Sequence, residues 1–194
     1  MKKLIALVLC GVLPTLSPAT WAAAPRLEKQ GSTQQLLVHD KPFLILGGEL
    51  GNSSASSTEY MKAHWPRLKA MGLNTVLAPV SWELIEPVEG KYDWRSVDEL
   101  LRDARAQDLK LVVLWFGAWK NSMSTYVPSW VKRDQKRFPR VSLANGASVE
   151  ILSAFSKETR DVDARAFGEL MAYLKRVDSD LTVIMIQVEN EIGM

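Results

Sequence analysis

Residues 181–194 read LTVIMIQVENEIGM, and the fold turns on how that stretch is interpreted. Val183, Ile184, Met185, Ile186 and Val188 form an apolar, largely β-branched run with no helical period, which predicts a strand buried on both faces, as in a parallel sheet. Gln187, Glu189, Asn190 and Glu191 crowd its carboxyl end. Burying a carboxylate is costly without a partner, so acids placed where a core strand surfaces point to function. The plainer reading is that Glu189 and Glu191 open a solvated loop, since polar residues at strand ends are common.

Upstream, residues 43–46 (FLIL), 73–79 (LNTVLAP) and 109–115 (LKLVVLW) read as three earlier strands. Helical patterns alternate with them. One begins after Ser57 or Thr58, carries Tyr60, Met61, His64, Trp65, Leu68 and Met71 on one side, is kinked or delayed by Pro66 and closes at Gly72. A second opens on a capping box formed by Ser96 and Glu99, with Val97, Leu100, Leu101 and Ala104 inward. A third starts at Lys157 or Asp161 and ends at Val177, with Val162, Ala166, Phe167, Leu170, Met171 and Leu174 at helical spacing. Residues 25–41 read as a short antiparallel strand or hairpin, and residues 116–156 as a long loop of the kind that is usually functional. Four strand–helix units in strict alternation predict an α/β fold with a parallel sheet and its chemistry at the carboxyl ends of the strands. A doubly wound nucleotide-binding sheet is the rival, weakened by the absence of a G-x-G-x-x-G or G-x-x-x-x-G-K-[ST] run after any strand.

The chain opens with Lys2 and Lys3 before an apolar run and small residues at 22–24, the pattern of a secretory signal over residues 1–24. Export to the periplasm or beyond the cell is expected, with residues 25–194 as one domain. Without the signal the 24 basic residues become 22, against 22 acidic ones, so nothing favours nucleic acid or an anionic membrane as partner. The single cysteine, Cys10, leaves with the signal, which excludes disulfides, thiol nucleophiles and cysteine-ligated metals from the mature chain. His39 and His64 lie apart without ligand spacing, and no cofactor is expected.

At the strand ends the sequence collects Glu49 and Asn52, then Trp82, Glu83 and Glu86, then Trp115, Trp119, Lys120 and Asn121, and finally Glu189, Asn190 and Glu191. Carboxylates, amides, a lysine and flat aromatics around one cavity suit a polyhydroxylated ligand, because acids and amides bind hydroxyls while indole faces pack on the C–H face of a sugar. Trp65 and Trp94 read as core, Trp82 and Trp119 as site, and Trp115 as either; Glu83 reads equally as solvated or functional.

The run Gln187-Val188-Glu189-Asn190-Glu191-Ile192-Gly193 closely resembles the Q-V-E-N-E-Y-G signature of glycoside hydrolase family 35, the β-galactosidases with a (β/α)8 TIM barrel. Leu46-Gly47-Gly48-Glu49-Leu50, Met71-Gly72-Leu73-Asn74-Thr75-Val76, the P-W-x-x-H-E-P-like stretch at residues 80–87 and Val127-Pro128-Ser129-Trp130 resemble further stretches of that family. The resemblance implies retaining hydrolysis of terminal β-D-galactosides from oligo- or polysaccharides, with Glu191 as general acid/base and Asn190 bonding the sugar 2-hydroxyl. It further implies substrate contacts from Glu49, Asn52, Trp82, Glu86, Trp119, Lys120, Asn121 and Glu189. Ile85 and Ile192 stand where the signature has histidine and tyrosine, and Trp119-Lys120-Asn121 replaces a more acidic, cysteine-containing segment. These departures resemble a bacterial subgroup associated with plant cell-wall side chains such as those of xyloglucan. The family's nucleophile comes from strand seven, so the sequence is expected to supply the first four β/α units, without the nucleophile and inactive alone. Other retaining β-glycosidases of the same clan, a non-catalytic carbohydrate-binding half-barrel and an interaction protein remain alternatives at this point.

Overall fold

The computed structural model describes residues 23–120 and 126–190. The chain enters through a three-stranded antiparallel sheet of β1 (Arg26–Gln30), β2 (Thr33–Val38) and β3 (Lys41–Pro42). His39 and Asp40, at φ 51° and 60°, make the tight turn from β2 to β3, in line with the expected hairpin.

The main sheet is parallel and four-stranded. β4 (Gly47–Glu49), β5 (Thr75–Ser81), β6 (Lys110–Phe116) and β9 (Val183–Gln187) lie side by side in chain order. That order contains no reversal, whereas a doubly wound sheet needs one at its switch point. Between the strands run α1 (Thr58–Lys62) and α2 (Trp65–Ala70), then α3 (Trp82–Ile85) and α4 (Arg95–Ala106), and finally α5 (Ser129–Arg133), the hairpin β7 (Arg140–Ser142) and β8 (Ser148–Leu152), and α6 (Lys157–Val177).

Strand β6 shows how the sheet is buried. Leu111, Val113 and Trp115 join Val76, Ala78 and Val80 of β5 against the helices, packing on Val97, Leu101, Ala166 and Leu170. Val112, Leu114 and Phe116 point the other way, onto Val38 of the hairpin and Ile184 of β9. Alternate residues thus fill two cores, as expected for an interior parallel strand.

Several expectations are corrected. The first strand lies at Gly47–Glu49 rather than residues 43–46, with Leu44 and Leu46 exposed; Gly47 instead comes close to β5, where an added Cβ would stand 3.2 Å from Leu77. Pro66 splits the first helix in two, at the first turn of α2, where its missing N–H costs nothing. The capping box at Ser96 and Glu99 does not form: α4 begins two residues earlier, with Trp94 as its N-cap, where Asp93 accepts the Arg95 N–H at 3.1 Å, and Glu99 accepts a hydrogen bond from Thr58 of α1. The long loop contains α5 and the β7–β8 hairpin. Finally, β9 is an edge strand and is not buried on both faces, since Met185 is exposed, as is Val188 just after it. An apolar groove of about 1460 Å³ runs there between β9 and the second half of α6.

Candidate active site

The carboxyl ends of β6 and β9 meet through an unequal register. Leu114 pairs with Gln187 and, farther on, Lys120 bridges Asn190, so the β6 side spends more residues than the β9 side over the same distance. The excess, Gly117-Ala118-Trp119, wraps toward α6. Lys120 Nζ donates to Asn190 Oδ1 at 2.6 Å and sits 5.1 Å from the centre of the Phe116 ring. This side chain is almost fully buried, so the bond is charge-assisted and shielded from water. With Oδ1 engaged, Nδ2–H is what Asn190 retains for a ligand.

Beneath this bridge lie two carboxyl groups. Asp163, buried on α6, accepts Trp115 Nε1 and the Ala118 N–H, each at 2.8 Å. Glu189 meets Asp163 side chain to side chain and accepts backbone N–H bonds from Trp119 and Asn190. Burial first, and the Asp163 carboxylate second, hold the Glu189 carboxyl far above the usual carboxylate range. Gly117 makes room for the arrangement: a Cβ there would stand 2.5 Å from Trp115 Nε1 and 2.6 Å from Asp163 Oδ1. A cavity of about 300 Å³ adjoins the pair, walled by Trp115, Trp119 and Phe167, with Thr159 and Glu189 among its polar lining.

The remaining candidates divide. Glu49 ends β4 and Asn52 lies in the turn after it, both exposed at the same end of the sheet. Trp119 lines the 300 Å³ cavity. Trp82 and Glu86, expected at the site, are both fully buried, and Trp82 Nε1 donates to Glu86 Oε2 at 2.6 Å. Glu86 Oε1 accepts the Gly90 N–H at 2.7 Å and Arg165 Nη2 at 3.3 Å. Glu83 forms a half-exposed ion pair with Lys132 at 2.9 Å. Asn121 and Glu191, like residues 1–22 of the expected signal over 1–24, lie outside the described residues.

Asp163 escaped the sequence reading, although the signal was available. It falls on the buried stripe of α6 formed by Thr159, Val162, Ala166, Leu170 and Leu174. An acid on that stripe is either paired or functional. Among the described residues no group of three or more His, Cys, Asp or Glu is placed to hold a metal ion, and no helix is long and apolar enough to cross a membrane.

The profile of Glycosyl hydrolases family 35 matches residues 35–194. This chain belongs to that family. Among its relatives, a β-galactosidase of Xanthomonas manihotis is 26% identical over 97% of this chain and 29% of its own length. Rice β-galactosidase 8 is 31% identical over 78% of this chain and 22% of its length, and human β-galactosidase-1-like protein 2 is 27% identical over 87% and 25%. The chain therefore spans less than a third of each of these relatives. Among solved structures, the exo-β-1,4-mannosidase of Opitutaceae bacterium strain TAV5 superposes with a TM-score of 0.55 at 19% identity, covering 78% of this chain and 25% of that one, a likeness of fold.

Proposed function

We propose that this chain forms the acid/base side of a retaining β-galactosidase site, in a complete enzyme that releases terminal β-D-galactose from oligo- or polysaccharides. In this reading Glu191 protonates the departing glycosidic oxygen and later activates water, while Asn190 donates to the sugar 2-hydroxyl, a bond that strengthens as positive charge grows at the anomeric carbon. The nucleophile is the family's strand-seven glutamate, about 5 Å from the acid/base in retaining enzymes. Trp119 and Lys120 shape the pocket from the β6 side, with Asn121 next in sequence, and Glu49 and Asn52 from the β4 side.

The observation that carries this proposal is the Lys120–Asn190 link. It fixes the amide at the carboxyl end of the parallel sheet, beside a tryptophan and next in sequence to Glu191. The uninterrupted strand order supports one half of a (β/α)8 barrel, and the exposed apolar residues near β4 and on β9 support closure by further strands. Lys2, Lys3 and the apolar run after them support export. The departures at Ile85, Ile192 and Trp119-Lys120-Asn121 support plant cell-wall side chains as the source of the galactosides.

The test is a panel of aryl β-glycosides presented to the full-length product of the gene. Galactoside turnover should exceed glucoside and mannoside turnover by at least about tenfold, a pocket discrimination of roughly 1.4 kcal/mol. Equal or greater turnover of the mannoside would reject the galactose assignment, and saturable binding without turnover would reject catalysis.

A further inference from the structure

We propose that Asp163 and Glu189 meet through a single shared proton and act together as a positioning pair, so that their contact fixes the Asn190 end of β9. The argument begins with donors and acceptors. Both Asp163 oxygens already accept N–H groups, from Trp115 Nε1 and Ala118 N. A carboxylate so engaged offers a third neighbour only acceptor capacity. That neighbour is Glu189, whose Oε2 is buried with no donor among the described residues. Two adjacent carboxyl groups withdrawn from water cannot both stay ionised. A proton on Glu189 turns the contact into an O–H···O⁻ bond, the stronger kind, while Glu189 still accepts the N–H groups of Trp119 and Asn190.

Other charges face the pair from two elements. On α6, Arg160 lines the same cavity and pairs with Asp161 at 2.6 Å. After β6, Lys120 bonds Asn190 Oδ1. The shared proton thus ties α6, the segment at residues 117–120 and the end of β9 into one unit, with Gly117 leaving the space that the contact needs. Only the importance of Asn190 rests on the function proposed above; the proton can be tested without substrate.

Isotope-edited infrared spectroscopy of the full chain at neutral pH should show the C=O band of a protonated glutamic acid, and Glu189→Gln should remove it. Thermal melts supply the second readout. Glu189 holds its proton in the folded state, while its unfolded value is the ordinary 4.5. The stability it confers is therefore complete below that value and declines as pH rises from there toward the folded value of about 10. Glu189→Gln keeps an N–H for Asp163 and should flatten that decline, with the Asn190 side-chain amide resonance unmoved; Glu189→Ala should shift that resonance. Absence of the band from the wild-type chain would overturn the proposal, even if no variant folds, and so would a Glu189→Gln melt profile parallel to the wild type. Failure of galactoside hydrolysis leaves these readouts untouched.

Discussion

Two glutamates withdrawn to different degrees sit some hundred residues apart in this chain, Glu86 buried and Glu189 half-buried, and their surroundings are opposite. Glu86, at the end of α3, is met by an indole N–H, a backbone N–H and the guanidinium of Arg165. Glu189, after β9, is met by two backbone N–H groups and a second acid. The first arrangement satisfies a charge and locks α3 to α6. The second disfavours a charge, next in sequence to the proposed catalytic pair Asn190-Glu191. Burial alone does not make an acid functional; what matters is whether the fold supplies a cation or withholds one.

The comparison can be broken by mutation, beginning with its structural half. Glu86→Ala leaves Trp82 Nε1 and the Gly90 N–H buried without an acceptor and should cost about 3 kcal/mol in urea denaturation. A loss under about 1 kcal/mol would mean that the Glu86 cluster is not a structural lock. Next in size is Gly117→Ala, whose Cβ collides with Trp115 and Asp163; overpacking of this kind should cost about 2 kcal/mol. Lys120→Met keeps the apolar stem on Phe116 but drops the bond to Asn190, for an expected loss of about 1.5 kcal/mol. If Asn190 contacts the 2-hydroxyl, the same change should weaken galactoside binding by the full-length enzyme more than binding of a 2-deoxy analogue. Smallest is Glu189→Gln, within about 0.5 kcal/mol of wild type near pH 5 and more stable than it at higher pH.

Much of this was legible in the sequence, and the failures have physical causes. The alternation of strands and helices, the inward residues Val97, Leu100, Leu101 and Ala104, and the limits of α6 follow from periodicity, which local burial enforces. The capping box at Ser96 failed because Asp93 offers an acceptor earlier and Glu99 finds Thr58 across the helix interface. The sequence does not show that Arg165 meets Glu86, because the two lie 79 positions apart. Met185 and Val188 were read as buried because composition does not say whether a strand lies inside a sheet or on its edge. Asp163 was passed over because a helical acid is usually solvated, and only its place on the buried stripe sets it apart.

The central claim is that the end of β9 delivers a proton to a glycosidic oxygen through Glu191. The most direct measurement compares wild type with Glu191→Ala in the full-length enzyme on two β-galactosides, one with an activated nitroaryl leaving group and one with an alkyl or sugar leaving group. A leaving group that departs unaided needs no acid, so the variant should lose roughly 10²–10⁴-fold in kcat/KM on the alkyl galactoside and far less on the nitroaryl one. Equal losses on both substrates, or no loss on either, would contradict it.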